Sequence, residues 1–555
     1  MSLALVVLLL VMMPIVSFAP GFVLVRRMRR WSALEKFAAS IAASIVLVYL
    51  VAFLIYNTVI AWSLAWVYTG VSVGALVWCW RDARRLFAVP QVRRVAWLFA
   101  ALFGWNLLML GIIRNYVGAF WGPDWYEHYE RSLHFVERGP DLYRFLNAYL
   151  LPARPPLMNL FSAFFLAQVG TEFVNYQVTF AFLNLLPFIP LALLLPLLAR
   201  RGSRYVGLLA ALLACNPMFM HNAQFTWTKA ATGVFVALGV WFYLVGWRRG
   251  DRTRMSLAFL SLSAGALVHY SGAPYAVALG LHYVVSIFWS RRQKARDLLG
   301  IAVPAAALLA SWVGYSLSAY GFRDTFATNS AVSDSRDLSL VDNLWKIGTN
   351  IVNTLVPHLA RGYWVERNED VFRQLVDNAF YIYQVNLPFA LGLTGSFVVL
   401  FLLFRVLRNR SLRAAERVFW FTFIALAVIL SIAVVGPPDD YGVAHIGLQP
   451  LVQLGVAFLA ANLPRIPRTL RGLMLAGIVV DFVFGIAIHV YMEASVAEWA
   501  SDYNMEVKTR ESLVFLGDWM PGLAVPFQAI LIGLFLGLLV YSYRTLSRFP
   551  EVDGT

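Results

Sequence analysis

About fifteen apolar runs, most of them close to twenty residues long, follow one another along the chain with short arginine-rich segments between them. Their approximate limits are 3–24, 36–56, 60–80, 95–114, 174–199, 204–221, 230–247, 254–270, 273–290, 297–318, 384–406, 416–436, 448–463, 470–491 and 523–543. A helical run of that length crosses a hydrocarbon core about 30 Å thick. The runs are continuous and do not alternate, which argues against a β-barrel. With 60% hydrophobic residues, 14% charged residues and a mean hydropathy of +0.67 over 555 residues, a soluble globule could not cover its own apolar surface. The expected fold class is therefore all-α: a polytopic integral membrane protein with about fifteen transmembrane helices.

The basic residues give the orientation. Arg26-Arg27-Met28-Arg29-Arg30, Arg81 to Arg94, Arg200-Arg201, Arg248 to Arg254, Arg291 to Arg296, Arg405 to Arg417, Arg465 to Arg471 and Arg544 to Arg548 all fall on one side of the alternating spans. That side is expected to be cytoplasmic, with the N-terminus outside and the C-terminus inside. The net charge of +15 is thus topological, and nucleic acid is not an expected partner. Met1 to Val25 lacks a basic n-region and is not read as a signal peptide. Cys79 and Cys215 lie inside apolar runs, so no disulfide framework is implied.

The long loops 115–173, 319–383 and 492–522 lie on the opposite side, with the Pro437-Pro-Asp-Asp-Tyr441 turn. None is long enough for an independent core. Leu157 to Val169 is apolar but too short to span, and is expected to lie in the interface. Arg154-Pro-Pro would start that helix, since proline suits a first turn. Four parts are expected: an N-terminal three-span accessory bundle over 1–94, a membrane core over 95–320 with loop 115–173, an outside loop over 321–383, and a C-terminal bundle over 384–555 with loop 492–522.

The chemistry concentrates in Gly122-Pro-Asp-Trp-Tyr-Glu-His-Tyr-Glu-Arg131. In a helix, Asp124, Glu127, His128 and Arg131 fall at i, i+3, i+4 and i+7 and share a face. Asp124 with Glu127 also fits a capping box, a role compatible with chemistry. Trp121, Trp125, Tyr126 and Tyr129 are interleaved with the charges and would make a partly apolar wall, able to raise a carboxylate's pKa toward general-base use. Lys229, at the start of a span, is either a ligand or a snorkelling side chain. His221 reads as a turn residue, and His269-Tyr270 caps a span at the same outer level. His358, Arg361 and Tyr363-Trp364 in the second long loop are candidates for a lipid phosphate or an acceptor. Asp439-Asp440 reads as turn chemistry, and Asp481 as a mid-span acid paired within the bundle.

In order along the chain stand a span, an outside loop opening with an Asp-led acidic helix, an Arg-Pro-Pro-Leu element at Arg154, an amphipathic helix, a returning span and an inside Arg200-Arg201. This order, clearest over 95–320, resembles the GT-C membrane glycosyltransferases, in particular the protein O-mannosyltransferase and lipid A aminoarabinose transferase branch. Family members usually carry adjacent acids at the head of the helix; here Trp125 fills the second place and the next acid is Glu127. The resemblance implies a GT-C-like fold, a polyprenyl-phosphate-linked sugar donor, and transfer with inversion to a glycan, lipid or protein acceptor on the non-cytoplasmic face. It implies Asp124 as the base and Arg154 as a phosphate ligand, for which the planar guanidinium is suited; Glu127 and His128, on the same helix face as Asp124, are the other catalytic candidates. Arg131, Lys229, His269, His358 and Arg361 are the further substrate-binding candidates. Metal use is left open: no cofactor is required by the pattern, no metal ligand cluster stands in the sequence, and some family members use a divalent ion.

Two rivals are set against this reading. An O-antigen ligase or polymerase type would place its basic residues in one late outside loop, here 319–383. A secondary transporter would want charges near the midplane, where only Asp481 and His282 stand. The expected location is a bacterial inner membrane with the site facing outward; an endoplasmic reticulum is the alternative.

Overall fold

The computed structural model describes residues 3–113, 116, 124–199, 202–289, 295–327, 339–365, 370–408, 414–436, 438–463, 466–495 and 513–519, with isolated positions from 529 to 540. Among the described residues the architecture is helical, with one isolated bridge between Phe145 and Tyr149 and no strand. Seven helical stretches among the described residues are long and apolar enough to cross a bilayer, or up to nine if two sharply bent pairs each count as one. Fewer stretches meet that length than the fifteen or so expected, because several apolar runs form shorter or broken helices. The last of them, 523–543, falls almost wholly outside the described residues.

The breaks have local causes. The run 204–221 bends by 73° where Asn216 caps a new helix, accepting the Phe219 N–H at 2.7 Å while Pro217 occupies the first turn. The run 384–406 is interrupted before Gly395, where the buried Asp481 carboxylate takes the Leu393 N–H at 2.9 and 3.0 Å and the Tyr383 hydroxyl at 2.6 Å. The mid-span acid is thus paired within the bundle, as its sequence position suggested.

At the N-terminus, α1 (Leu3–Val16) and α2 (Ala19–Val25) are followed by α3 (Ala33–Tyr56), α4 (Ser63–Trp78), α5 (Trp80–Ala88) and α6 (Pro90–Leu110). These helices share one continuous apolar core with the rest of the described chain, from Val6 to Leu516. Residues 1–94, expected as an accessory bundle, are tied into the centre by polar contacts as well. Arg254 donates to Glu35 at 2.8 Å and to Asp251 at 2.5 Å, and Tyr49 meets Ser311 at 2.7 Å.

Ion pairs sort by end of the molecule. Arg26 with Asp82, Arg248 with Glu416, Arg252 with Asp297 and Arg254 with Glu35 all join segments assigned to the basic side. Those of Glu127 with Arg131 and Arg154 lie among the loops assigned to the other side.

The loop 115–173 holds α7 (Asp124–Glu137) and α8 (Leu157–Val169). The limits of α8 are those expected, and all of its residues except Ala167 are buried. It is walled by α3, α4, α7 and α9 (Phe173–Leu185), as suits a helix that is apolar around its whole circumference.

Candidate active site

Helix α7 begins at Asp124, and its i, i+4 spacing does what the sequence allows. The Arg131 guanidinium donates to Glu127 through Nε at 2.9 Å and approaches the same carboxylate through Nη2 at 2.7 Å. Arg154 reaches the other oxygen of Glu127 at 3.2 Å. Glu127 is fully buried between these two cations. Burial opposes its ionisation, but Arg154, Arg131 and His128 outweigh it and hold the carboxyl down to about 2. Glu127 is thus a fixed anion, and among the described residues neither it nor Asp124 makes the capping-box contact.

Arg131 continues the knot. It donates to the Leu151 carbonyl at 2.8 Å and the Leu150 carbonyl at 3.2 Å, and its guanidinium lies 4.1 Å above the Phe145 ring. Its nitrogens are spent on positioning the strip that carries Arg154. Tyr270 fixes the same strip from the other side, donating to the Pro152 carbonyl at 2.7 Å. His128 points into α8 and α9, near Asn159 at 3.4 Å and the Phe180 ring, and burial lowers its pKa to about 3, so it is neutral.

Asp124 has different company. Its carboxylate accepts the Trp227 indole N–H at 3.0 Å. Burial pushes its pKa up, against the pull of Lys229 and Arg154 and with a push from Glu127. The Lys229 ammonium lies 3.8 Å from the centre of the Trp227 ring and forms no ion pair among the described residues. Burial brings its pKa down to about 8, with Asp124 opposing that shift. Asp124, Arg154 and Lys229 therefore feel one another across a half-buried space without pairing directly. The neighbouring rings of α7 pack into a separate aromatic cluster: Trp125 and Tyr129 lie against Phe173, and Phe515 lies against Trp125 and Tyr116.

His269 lies within electrostatic range of Lys229, Arg154 and His128, its Nδ1 engaged with Ser271 at 2.8 Å. The structure thus brings Asp124, Glu127, His128, Arg131, Arg154, Lys229 and His269 into one neighbourhood. His358 and Arg361 belong to another. His358 Nδ1 meets Asn386 at 2.9 Å, and Arg361 donates to the carbonyls of Val356 at 3.1 Å and Asp440 at 2.5 Å. Asp439 accepts the Tyr441 and Gly442 N–H groups at 2.8 and 3.0 Å, the turn its sequence suggests. Among the described residues no hydrogen bond or ion pair links this second knot to α7.

Sequence reasoning missed Trp227, which joins the pieces: it donates to Asp124, carries Lys229 on its face and stacks on His445 with ring centroids 5.9 Å apart. A signal was present, since residues 227 and 229 share a side wherever the chain is extended. His445 is buried beside it, and His221 packs among Phe225, Trp227 and Phe380.

No protein-family model matches the chain, and no curated protein matches it. Two crystal structures of ArnT from Cupriavidus metallidurans are similar to it, each at 16% sequence identity and over 80% of this chain. The one bound to undecaprenyl phosphate aligns over 76% of its own length with a TM-score of 0.45, and the apo form over 75% with a TM-score of 0.47.

Proposed function

We propose that this protein is a membrane glycosyltransferase that moves a sugar from a polyprenyl-phosphate donor to an acceptor hydroxyl, with inversion, on the non-cytoplasmic face. The observation that carries the reading is the division of labour around Trp227. A carboxylate with a raised pKa stands opposite two cations, Arg154 and Lys229, which are not paired to it. Proton abstraction and phosphate departure need that combination side by side in a dry site.

In this mechanism Asp124 takes the proton of the acceptor hydroxyl as its oxygen bonds to the anomeric carbon. The bond from that carbon to the phosphate oxygen breaks on the opposite face. The departing polyprenyl phosphate keeps the electron pair, and its charge is met by Arg154 and Lys229. Glu127 and Arg131 do not touch the reacting atoms; they set the position of Arg154. His128, neutral and packed against α8 and α9, is a positioning residue in the same sense. The charge the leaving phosphate requires is supplied by side chains, so turnover without a divalent ion is part of the proposal.

The test is equilibrium binding of polyprenyl phosphate to purified protein. Arg154→Ala and Lys229→Ala should each weaken binding at least tenfold, the scale of a lost charge-assisted contact. Arg361→Ala, in the second knot, should leave it unchanged. Equal affinity in all variants would remove Arg154 and Lys229 from the site.

A further inference from the structure

The basic end of the molecule carries a cavity that shares no lining residue with the site above. It measures about 930 Å³ and lies between the N-terminal helices, α6 and the α9–α10 region (α10, Phe188–Leu198), with Phe18, Phe37, Phe99 and Phe182 among its walls. The residues of α6 that line it run from Ala96 to Leu107, a rise of about 16 Å, which is one leaflet of the hydrocarbon core. The space is open along that helix: a methyl group added at Gly104 would meet nothing within 4 Å.

The mouth is at α5, where Trp80 and Arg84 line the cavity. Trp78 and Trp80 are exposed, at the level where indoles anchor to headgroups. The local acid, Asp82, is already shared by Arg26 at 3.4 Å and Arg85 at 3.8 Å. Arg84 is exposed and makes no ion pair among the described residues. A leaflet-deep apolar slot thus ends at an uncompensated guanidinium, on the face the arginine-rich loops assign to the cytoplasm.

We propose that this cavity is a binding site for an anionic glycerophospholipid of the cytoplasmic leaflet, its acyl chains in the slot and its phosphate on Arg84. The phosphate complements the arginine, and the slot demands chains, which a free anion lacks. Such a lipid would cement the N-terminal helices to the core. The proposal does not depend on the transferase reading.

Delipidated full-length protein is to be titrated with phosphatidylglycerol and with phosphatidylcholine of the same chains, read by native mass spectrometry and by unfolding temperature. Phosphatidylglycerol should bind in preference and raise the unfolding temperature. Arg84→Ala should cut its binding about fivefold while leaving phosphatidylcholine unaffected. Gly104→Phe should reduce binding of both by filling the slot; if that variant is misfolded without lipid, the exposed Arg84→Ala decides alone. Equal binding of the two lipids would overturn the proposal, as would a preference that survives Arg84→Ala. Displacement of phosphatidylglycerol by equimolar polyprenyl phosphate would also overturn it, by assigning the slot to the carrier lipid.

Discussion

Glu127 and Asp124 lie three residues apart on one helix, and their surroundings drive them in opposite directions. Two guanidiniums around Glu127 hold it down to about 2, whereas burial beside an indole raises Asp124. Pairs of carboxyls split in this way mark out acid–base assignments. The free enzyme should then show a bell-shaped kcat/KM profile. Activity rises with pH as Asp124 loses its proton and falls as Lys229 loses its charge near pH 8. In Lys229→Arg the alkaline limb should move upward; an unmoved limb would separate Lys229 from the chemistry. Glu127 has a folded pKa below its ordinary value of 4.5, so its contribution to stability is complete above that value and lost as the pH falls toward about 2. Glu127→Gln leaves Arg131 and Arg154 facing each other without an anion and should cost about 3 kcal/mol, measurable by denaturant or thermal unfolding. At this scale the sequence displayed the i, i+4 pair and the acidic helix start. Lys229 stood out as a cation at the start of a span, but its approach and that of Trp227 to Asp124 did not, because it spans about a hundred residues and depends on the tertiary fold.

At the scale of elements, the site is a strip between two helices. Arg131 on α7 and Tyr270 at the end of α14 (Arg252–Val268) hold the carbonyls of 150–152, and Arg154 follows directly. Tyr270→Phe removes one hydrogen bond and should loosen Arg154 without touching the base. Donor KM should rise about fivefold with kcat preserved, as fits a loss of about 1 kcal/mol; a fall in kcat at constant KM would contradict this assignment. The limits of α8 were legible because the apolar run and Arg154-Pro-Pro define both start and extent. The break in 384–406 was not, since it is made by Asp481, about ninety residues away. His358 and Arg361 looked equivalent to Arg154 in sequence, as basic residues in an outside loop. Their partners, the Asn386 side chain for His358 and backbone carbonyls for Arg361, place them at a different turn.

At the scale of the molecule, alternation of charge between loops was the strongest signal, and ion pairs among described residues respect it at both ends. Span counting was weaker. Hydropathy records how apolar a run is, and not whether a capping side chain or a proline breaks it. The central claim is that one carboxylate, faced by two cations on the non-cytoplasmic side, transfers a sugar from a lipid phosphate. The most direct measurement is turnover of a panel of polyprenyl-phosphate sugars by purified wild type and Asp124→Asn, with donor binding followed in both. The account predicts release of polyprenyl phosphate by the wild type alone, with donor binding retained in the variant. Turnover by Asp124→Asn at the wild-type rate, or no binding of any lipid-linked sugar by either protein, would contradict it.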